Sequence, residues 1–220
     1  MRRWNAVQPA VVTRSLVVVN VLVFMWTGGS AAATFGGGTS QHQIDLALAR
    51  VFVQQGEWWR VVTSGFLHFG VLHIAMNMML LWQLGNLLEP ALGRTRFALL
   101  YFGALCGGAV GALLFAPDAL TGGASGAVFG LMGAASVALW HRGVNPMRTP
   151  IGTTLILNLL ITFTIPGISV GGHLGGVVAG AMLGFVMFDP SVNRSSRWMT
   201  YAAPVVMMAA CFVAIGVVTA

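Results

Sequence analysis

Charge is what this sequence lacks most. Of 220 residues only 7% are Asp, Glu, Lys or Arg, against roughly a quarter in a soluble domain. A chain so poor in charge cannot cover a water-facing surface, which excludes an ordinary soluble globule. Tandem repeats and low-complexity segments are absent as well, so neither a solenoid nor a disordered tail is expected. Cysteine is scarce: Cys106 and Cys211 are the two present, each within an apolar run, and no disulfide framework is expected.

What the sequence does contain is apolar. Hydrophobic residues make up 57% of the chain and the mean hydropathy is +0.83. The few charges bound long charge-free intervals at 15–44, 61–88, 97–117, 119–141, 149–188 and 198–220. A spanning helix needs about 20 mostly apolar residues. The interval 149–188 is long enough for two, with "TIPGISVGG" (164–172) as the break between them, since Pro and Gly punctuate helices. Seven spans are therefore expected, at about 12–28, 66–88, 97–116, 123–141, 150–166, 171–188 and 198–219. The first has arginines before it and small residues after it, as a signal peptide would. "SLVVVNVLVFMWTG" nevertheless stays bulky to its end, which favours a retained span. The fold class is all-α, a polytopic membrane helix bundle, and the chain reads as one integral membrane domain, 1–220.

The net charge of +6 invites comparison with nucleic-acid binders, but its distribution argues against that partner. With the N-terminus cytoplasmic, Arg2, Arg3, Arg14, Arg94, Arg96, Arg142, Arg148, Arg194 and Arg197 fall on the inner side. Arg50 and Arg60 alone fall outside. That asymmetry follows the positive-inside rule, so the C-terminus is expected outside and spans 2, 4 and 6 descend inward. Membrane lipid is the partner the composition demands.

Polar side chains inside spans are costly and default to function. Span 2 carries His68, His73 and Asn77, span 4 opens at "GGASGAVFG" with Ser125, and span 6 opens at "VGGHLGGVVAG" with His173. Ser125 stands 17 residues before Arg142, His173 16 before Asp189, and His73 16 before Glu89. At 1.5 Å per residue each lies roughly 24–26 Å above its cytoplasmic marker. Three polar sites thus share one level in the outer half of the bilayer.

Residues at one depth meet only where helices approach closely. Gly126, Gly130 and Gly133 in span 4, with Gly172, Gly176 and Gly180 in span 6, give the small-residue spacing that permits it. His173, Gly176 and Gly180 share a helix face, which puts the histidine within hydrogen-bond reach of Ser125. A hydroxyl beside a base is the minimum for an activated nucleophile. His73 and Asn77, four apart, share a face of span 2. Together with the Ser125 amide they offer donors for an oxyanion.

At these residues the sequence resembles the rhomboid intramembrane serine proteases. The matching elements are "GASG", "HxxxxHxxxN" (His68, His73, Asn77), "HxxGxxxG" (His173, Gly176, Gly180), "WR" (Trp59, Arg60) and "ExxxGR" (Glu89, Gly93, Arg94). The resemblance implies a six-helix core at 12–189 with an additional C-terminal helix at 198–219. It implies Ser125 as nucleophile and His173 as general base, with His73, Asn77 and the Ser125 amide as oxyanion hole. His68 and Gly123 would support that site. Phe129 stands where several relatives carry Tyr, and its ring can still stack on His173. Trp59, Arg60 and Glu89 are structural residues of loops, Trp59 and Arg60 holding the interfacial one. The resemblance further implies single-span membrane proteins as substrates, cut near the outer face, with no cofactor and no metal. It leaves the oligomeric state open.

Bland roles stay open for two residues: His68 as a structural residue and Asn77 as a bridge between helices. A soluble α/β-hydrolase elbow requires G-x-S-x-G between strand and helix, whereas residues 123–127 read "GASGA" before a membrane span. His68 and His73 are five apart without a carboxylate, unlike a zinc "HExxH". The surviving alternative is a catalytically inactive rhomboid-like protein that binds membrane segments; such proteins lose the Ser or the His, and this chain keeps both. The short N-terminal tail and lack of an organellar presequence suggest a bacterial plasma membrane.

Overall fold

The computed structural model describes residues 9–28 and 40–220. Arg2, Arg3 and most of the Gly-rich stretch after the first apolar run lie outside the described residues. Among those described there are eleven α-helices and no strand, only an isolated antiparallel bridge between Leu48 and Thr121. Helix α1 is Val11–Trp26. Three short helices follow, α2 (Gln41–Leu46), α3 (Arg50–Gln54) and α4 (Arg60–Thr63), the last running into a 3-10 turn at Ser64–Phe66. Then come α5 (Val71–Leu92), α6 (Arg94–Phe115), α7 (Ser125–Trp140), α8 (Pro150–Thr164), α9 (Val170–Met187), α10 (Pro190–Ser195) and α11 (Met199–Thr219).

Local chemistry sets several of these boundaries. Pro150 and Pro190 occupy the first positions of α8 and α10, where a missing N–H costs nothing. Ser169 caps α9 by accepting from the Gly172 N–H, and Asp189 caps α10 by accepting from the Ser191 and Val192 amides. The Ser191 side-chain and backbone bonds hold the Asp189 carboxyl below its ordinary pKa. Gly93, at φ +86, separates α5 from α6.

Among the described residues, seven apolar helices overlap the intervals expected as spans. Four of them, α5, α6, α9 and α11, are long and apolar enough to cross a membrane; α1, α7 and α8 are shorter, at 16, 16 and 15 residues. Most boundaries shift by a few residues, and the two ends of α5 shift furthest. Helix α5 starts at Val71 rather than 66, because the 3-10 turn and an extended Gly70 precede it. His68 is therefore not on that helix. Helix α5 also runs past Glu89 to Leu92, so Glu89 is a buried helical residue, 2% exposed, and not a loop residue.

Helix α7 forms the centre, with every residue from Gly126 to Ala135 buried. Helices α5, α6, α8 and α9 surround it, α1 packs on α5, and α11 lies outside against α6 and α9. Cys106 and Cys211 are free thiols in the α6–α11 contact. Glycines bring α9 close against both α7 and α6. A Cβ added to Gly176 would fall on the Gly126 carbonyl, and one on Gly180 would fall on the Gly130 carbonyl. Helix α6 joins from the other side: a Cβ on Gly108 would stand 3.0 Å from both Gly126 Cα and Gly172 O. Lipid supplies no hydrophobic force between helices, so association rests on such close packing.

Polar anchors hold the periphery. The Glu89 carboxylate accepts from the Val12 N–H at 2.9 Å, the Thr13 N–H at 2.8 Å and the Thr13 hydroxyl at 2.7 Å. It thereby satisfies the first amides of α1, whose N-cap Ala10 has no polar side chain. Arg60, 5% exposed, donates to Glu57 and to the Ile44 and Ala47 carbonyls, and its guanidinium lies 3.9 Å from the Phe52 ring centre. Trp59 beside it is exposed.

Glu89→Gln leaves one carbonyl oxygen where two carboxylate oxygens accepted, and it turns an amide toward a donor. It is expected to cost about 1–3 kcal/mol, read as a lower thermal midpoint in detergent. Gly180→Ala forces α9 off α7 and is expected to cost about 1–3 kcal/mol or more by overpacking. Unchanged midpoints in these two variants would contradict the roles of the α1 cap and the α7–α9 seam respectively.

Candidate active site

Three helices begin at one end of the bundle, and each brings a polar residue in its first turn. His73 is the third residue of α5, Ser125 the first of α7, and His173 the fourth of α9. The depth match counted along the sequence has this simple basis. All three line one cavity of about 650 Å³, together with Asn77, Gly123, Gly126, Phe129, Asn158 and Thr162. The rest of its wall is mostly apolar, with Leu72, Met76, Leu120, Ile161 and Ile165 among the contributors.

Ser125 is half-buried, and Ala124 before it offers no capping side chain. The first amides of α7 thus have no side-chain acceptor, and a helix N-terminus in that state favours an anion. The segment leading to Ser125 is pinned from the opposite side. Leu48 and Thr121 exchange two backbone bonds of 2.8 Å, Arg50 pairs with Asp118, and the Gly123 N–H donates to the Ser64 carbonyl at 2.8 Å. Gly123 has φ +139, and a Cβ there would stand 2.8 Å from His73 Nε2 and 3.5 Å from Ser125 Oγ. Only glycine leaves that spot open between the imidazole and the hydroxyl.

His173 is buried, its ring stacked on Phe129 with centroids 4.0 Å apart and planes 15° from parallel. Its Nδ1 is 2.7 Å from the Thr162 hydroxyl, which in turn donates to the Asn158 carbonyl at 2.7 Å. Ser125 and His173 share the cavity, but no hydrogen bond joins them among those of the described residues. Catalytic hydrogen bonds are often long in ligand-free proteins and close only around substrate.

Asn77 donates to the His73 carbonyl at 2.9 Å. That bond returns to its own helix instead of bridging to another, and the amide has a second N–H to offer. His68 is fully buried behind the site. Its ring meets the edge of His73 at 4.9 Å, and it is not part of the cavity wall. Gly126, Gly130, Gly176 and Gly180 form the seam beneath the site, while Trp59, Arg60 and Glu89 lie away from it. Sequence reasoning missed Thr162. A threonine in an apolar helix ordinarily bonds its own i−4 carbonyl, so nothing in the sequence separates this one from Thr164, which does the same.

A hydroxyl, an imidazole and several N–H donors around one cavity suit nucleophilic attack on a carbonyl. Over residues 55–190 the sequence matches the family described as "Rhomboid domain". The chain is 34% identical over 167 residues to "Rhomboid protease GluP" of Bacillus subtilis (strain 168), covering 74% of this chain and 33% of that protein. It is 35% identical over 146 residues to "Putative rhomboid protease YdcA" of the same organism, covering 64% and 73%. It is also 35% identical over 139 residues to "RHOMBOID-like protein 4" of Arabidopsis thaliana, covering 61% and 35%. The chain therefore spans about a third of the length of two of these relatives.

Proposed function

This chain belongs to the rhomboid family, and on that premise we propose that it is an intramembrane serine endopeptidase working through Ser125 and His173. The observation that carries the reading is the cavity wall on which Ser125, His173, His73 and Asn77 come together from three helices. Seven helices cross the membrane in this arrangement, as one integral domain with residues 198–219 added to a core at 12–189. The N-terminus is cytoplasmic, the C-terminus outside, and the membrane a bacterial plasma membrane. Substrates are single-span membrane proteins cut near the outer face.

The length of α7 supports that depth. Its 16 residues reach about 24 Å, against a hydrocarbon core of about 30 Å. With the cytoplasmic end at its surface, Ser125 lies several ångströms below the outer one. Water and substrate backbone then meet at the cavity, within the bilayer's outer margin.

In the proposed mechanism His173 Nε2 takes the Ser125 proton as Oγ attacks the scissile carbonyl carbon. The carbonyl oxygen becomes an anion and accepts from the Ser125 amide, the Asn77 amide and a His73 N–H. Collapse breaks the C–N bond, and the His173 imidazolium protonates the departing amine. A water then gives its proton to His173 and attacks the acyl-enzyme, releasing the carboxylate and restoring Ser125. Phe129 holds the imidazole plane from below throughout.

The test is cleavage of a single-span model substrate by the purified protein in liposomes. Ser125→Ala and His173→Ala are expected to abolish turnover in folded protein. Asn77→Ala is expected to slow it by about 100-fold or less, because other donors remain. Full turnover in either of the first two variants would sink the dyad. Substrate capture without cleavage by the wild type would mark an inactive rhomboid-like binding protein instead.

A further inference from the structure

A hydroxyl carries one proton, and the position of that proton decides what it can do for a neighbour. On Thr162 the proton is committed to the Asn158 carbonyl, one helical turn back and 2.7 Å away. The same oxygen lies 2.7 Å from His173 Nδ1, and toward that nitrogen it can act only as acceptor. From this we infer that Thr162 is a positioning residue for the base, holding the proton on Nδ1 of His173 so that Nε2 keeps its lone pair. The inference rests on the proposed roles of Ser125 and His173.

Two restraints then fix the imidazole. The Phe129 stack at 4.0 Å sets the ring plane but cannot tell one edge of the ring from the other. The Thr162 bond makes that choice, because a neutral imidazole donates from one nitrogen and accepts at the other. When the Ser125 O–H bond breaks, its proton goes to Nε2, and the ring becomes an imidazolium with N–H on both nitrogens. The Nδ1–H bond to Thr162 persists through that step. When Nε2 later returns the proton, the original tautomer is restored. Thr162 thus supplies the orienting half of what an acidic third residue would do, without a charge. It is 2% exposed, so little of its surface is open to competing water.

Thr162→Val removes the acceptor at nearly constant volume and leaves an Nδ1–H tautomer without a partner. The protein, labelled with 15N-histidine and purified in detergent, gives the tautomer directly; the His173 signals are those missing from His173→Ala. The wild type is expected to show protonated Nδ1 and bare Nε2, Thr162→Val a shift toward Nε2–H, and Thr162→Ser a return to the wild-type pattern. In liposomes Thr162→Val is expected to lower kcat about 10- to 100-fold with KM nearly unchanged, and Thr162→Ser to restore most of it. A wild-type His173 protonated at Nε2, or an unaltered tautomer in folded Thr162→Val, overturns the inference. A correct tautomer in a protein that cuts no substrate would support the bond's role and count against the proteolytic reading alone.

Discussion

Helices α7 and α9 touch backbone to backbone, and the rest of the molecule is arranged around that contact. Gly176 rests on the Gly126 carbonyl and Gly180 on the Gly130 carbonyl, with no side chain between them. In water such a seam would be a weak choice, since glycine buries little apolar area and costs conformational entropy. In lipid the balance differs: chain entropy is already limited by the helix, and closeness of approach is what dispersion rewards. The contact has a chemical consequence as well. It brings the starts of two helices together, and Ser125 and His173 occupy those starts.

The cavity is also held from the loop side, by bonds that do not involve the Ser125 or His173 side chains. The Leu48–Thr121 bridge, the Arg50–Asp118 pair and the Gly123–Ser64 bond tie the segment before Ser125 to the short helices after α1. Arg60 ties those short helices to one another through the Ile44 and Ala47 carbonyls. Glu89 fastens α1 to α5 at the other end of the bundle. Ser125, the proposed nucleophile, is the first residue of α7 and would otherwise sit on fraying backbone. Here packing fixes the helix below it and hydrogen bonds fix the chain above it.

Much of this was legible in the sequence because lipid makes polar residues rare. Ser125, His173, His73 and Asn77 stand out against their apolar runs, and equal distances from cytoplasmic charges put three of them at one level. The glycine spacing of α7 and α9 was readable for the same reason. Other features carried no such signal. The glycines of α6 make contacts as close as those of α7, yet Gly107, Gly108 and Gly111 have no polar partner in sequence to draw attention to them. Glu89 reads as a boundary charge that caps or pairs near the cytoplasmic surface, but that its partner is the start of α1 shows only in the fold. His68 has the spacing of a site residue, but the turn before α5 places it behind His73. Thr162 looks like any back-bonded threonine until α9 brings His173 to it.

In the proposed function, Ser125 is made nucleophilic by His173 across the α7–α9 contact. The most direct measurement is reaction of the purified, detergent-solubilised protein with a fluorophosphonate, followed by mass spectrometry of the modified peptide, with His173→Ala in parallel. A phosphonyl adduct is expected on Ser125 in the wild type and none in folded His173→Ala. An adduct on another residue, or equal modification of Ser125 without the histidine, would contradict it.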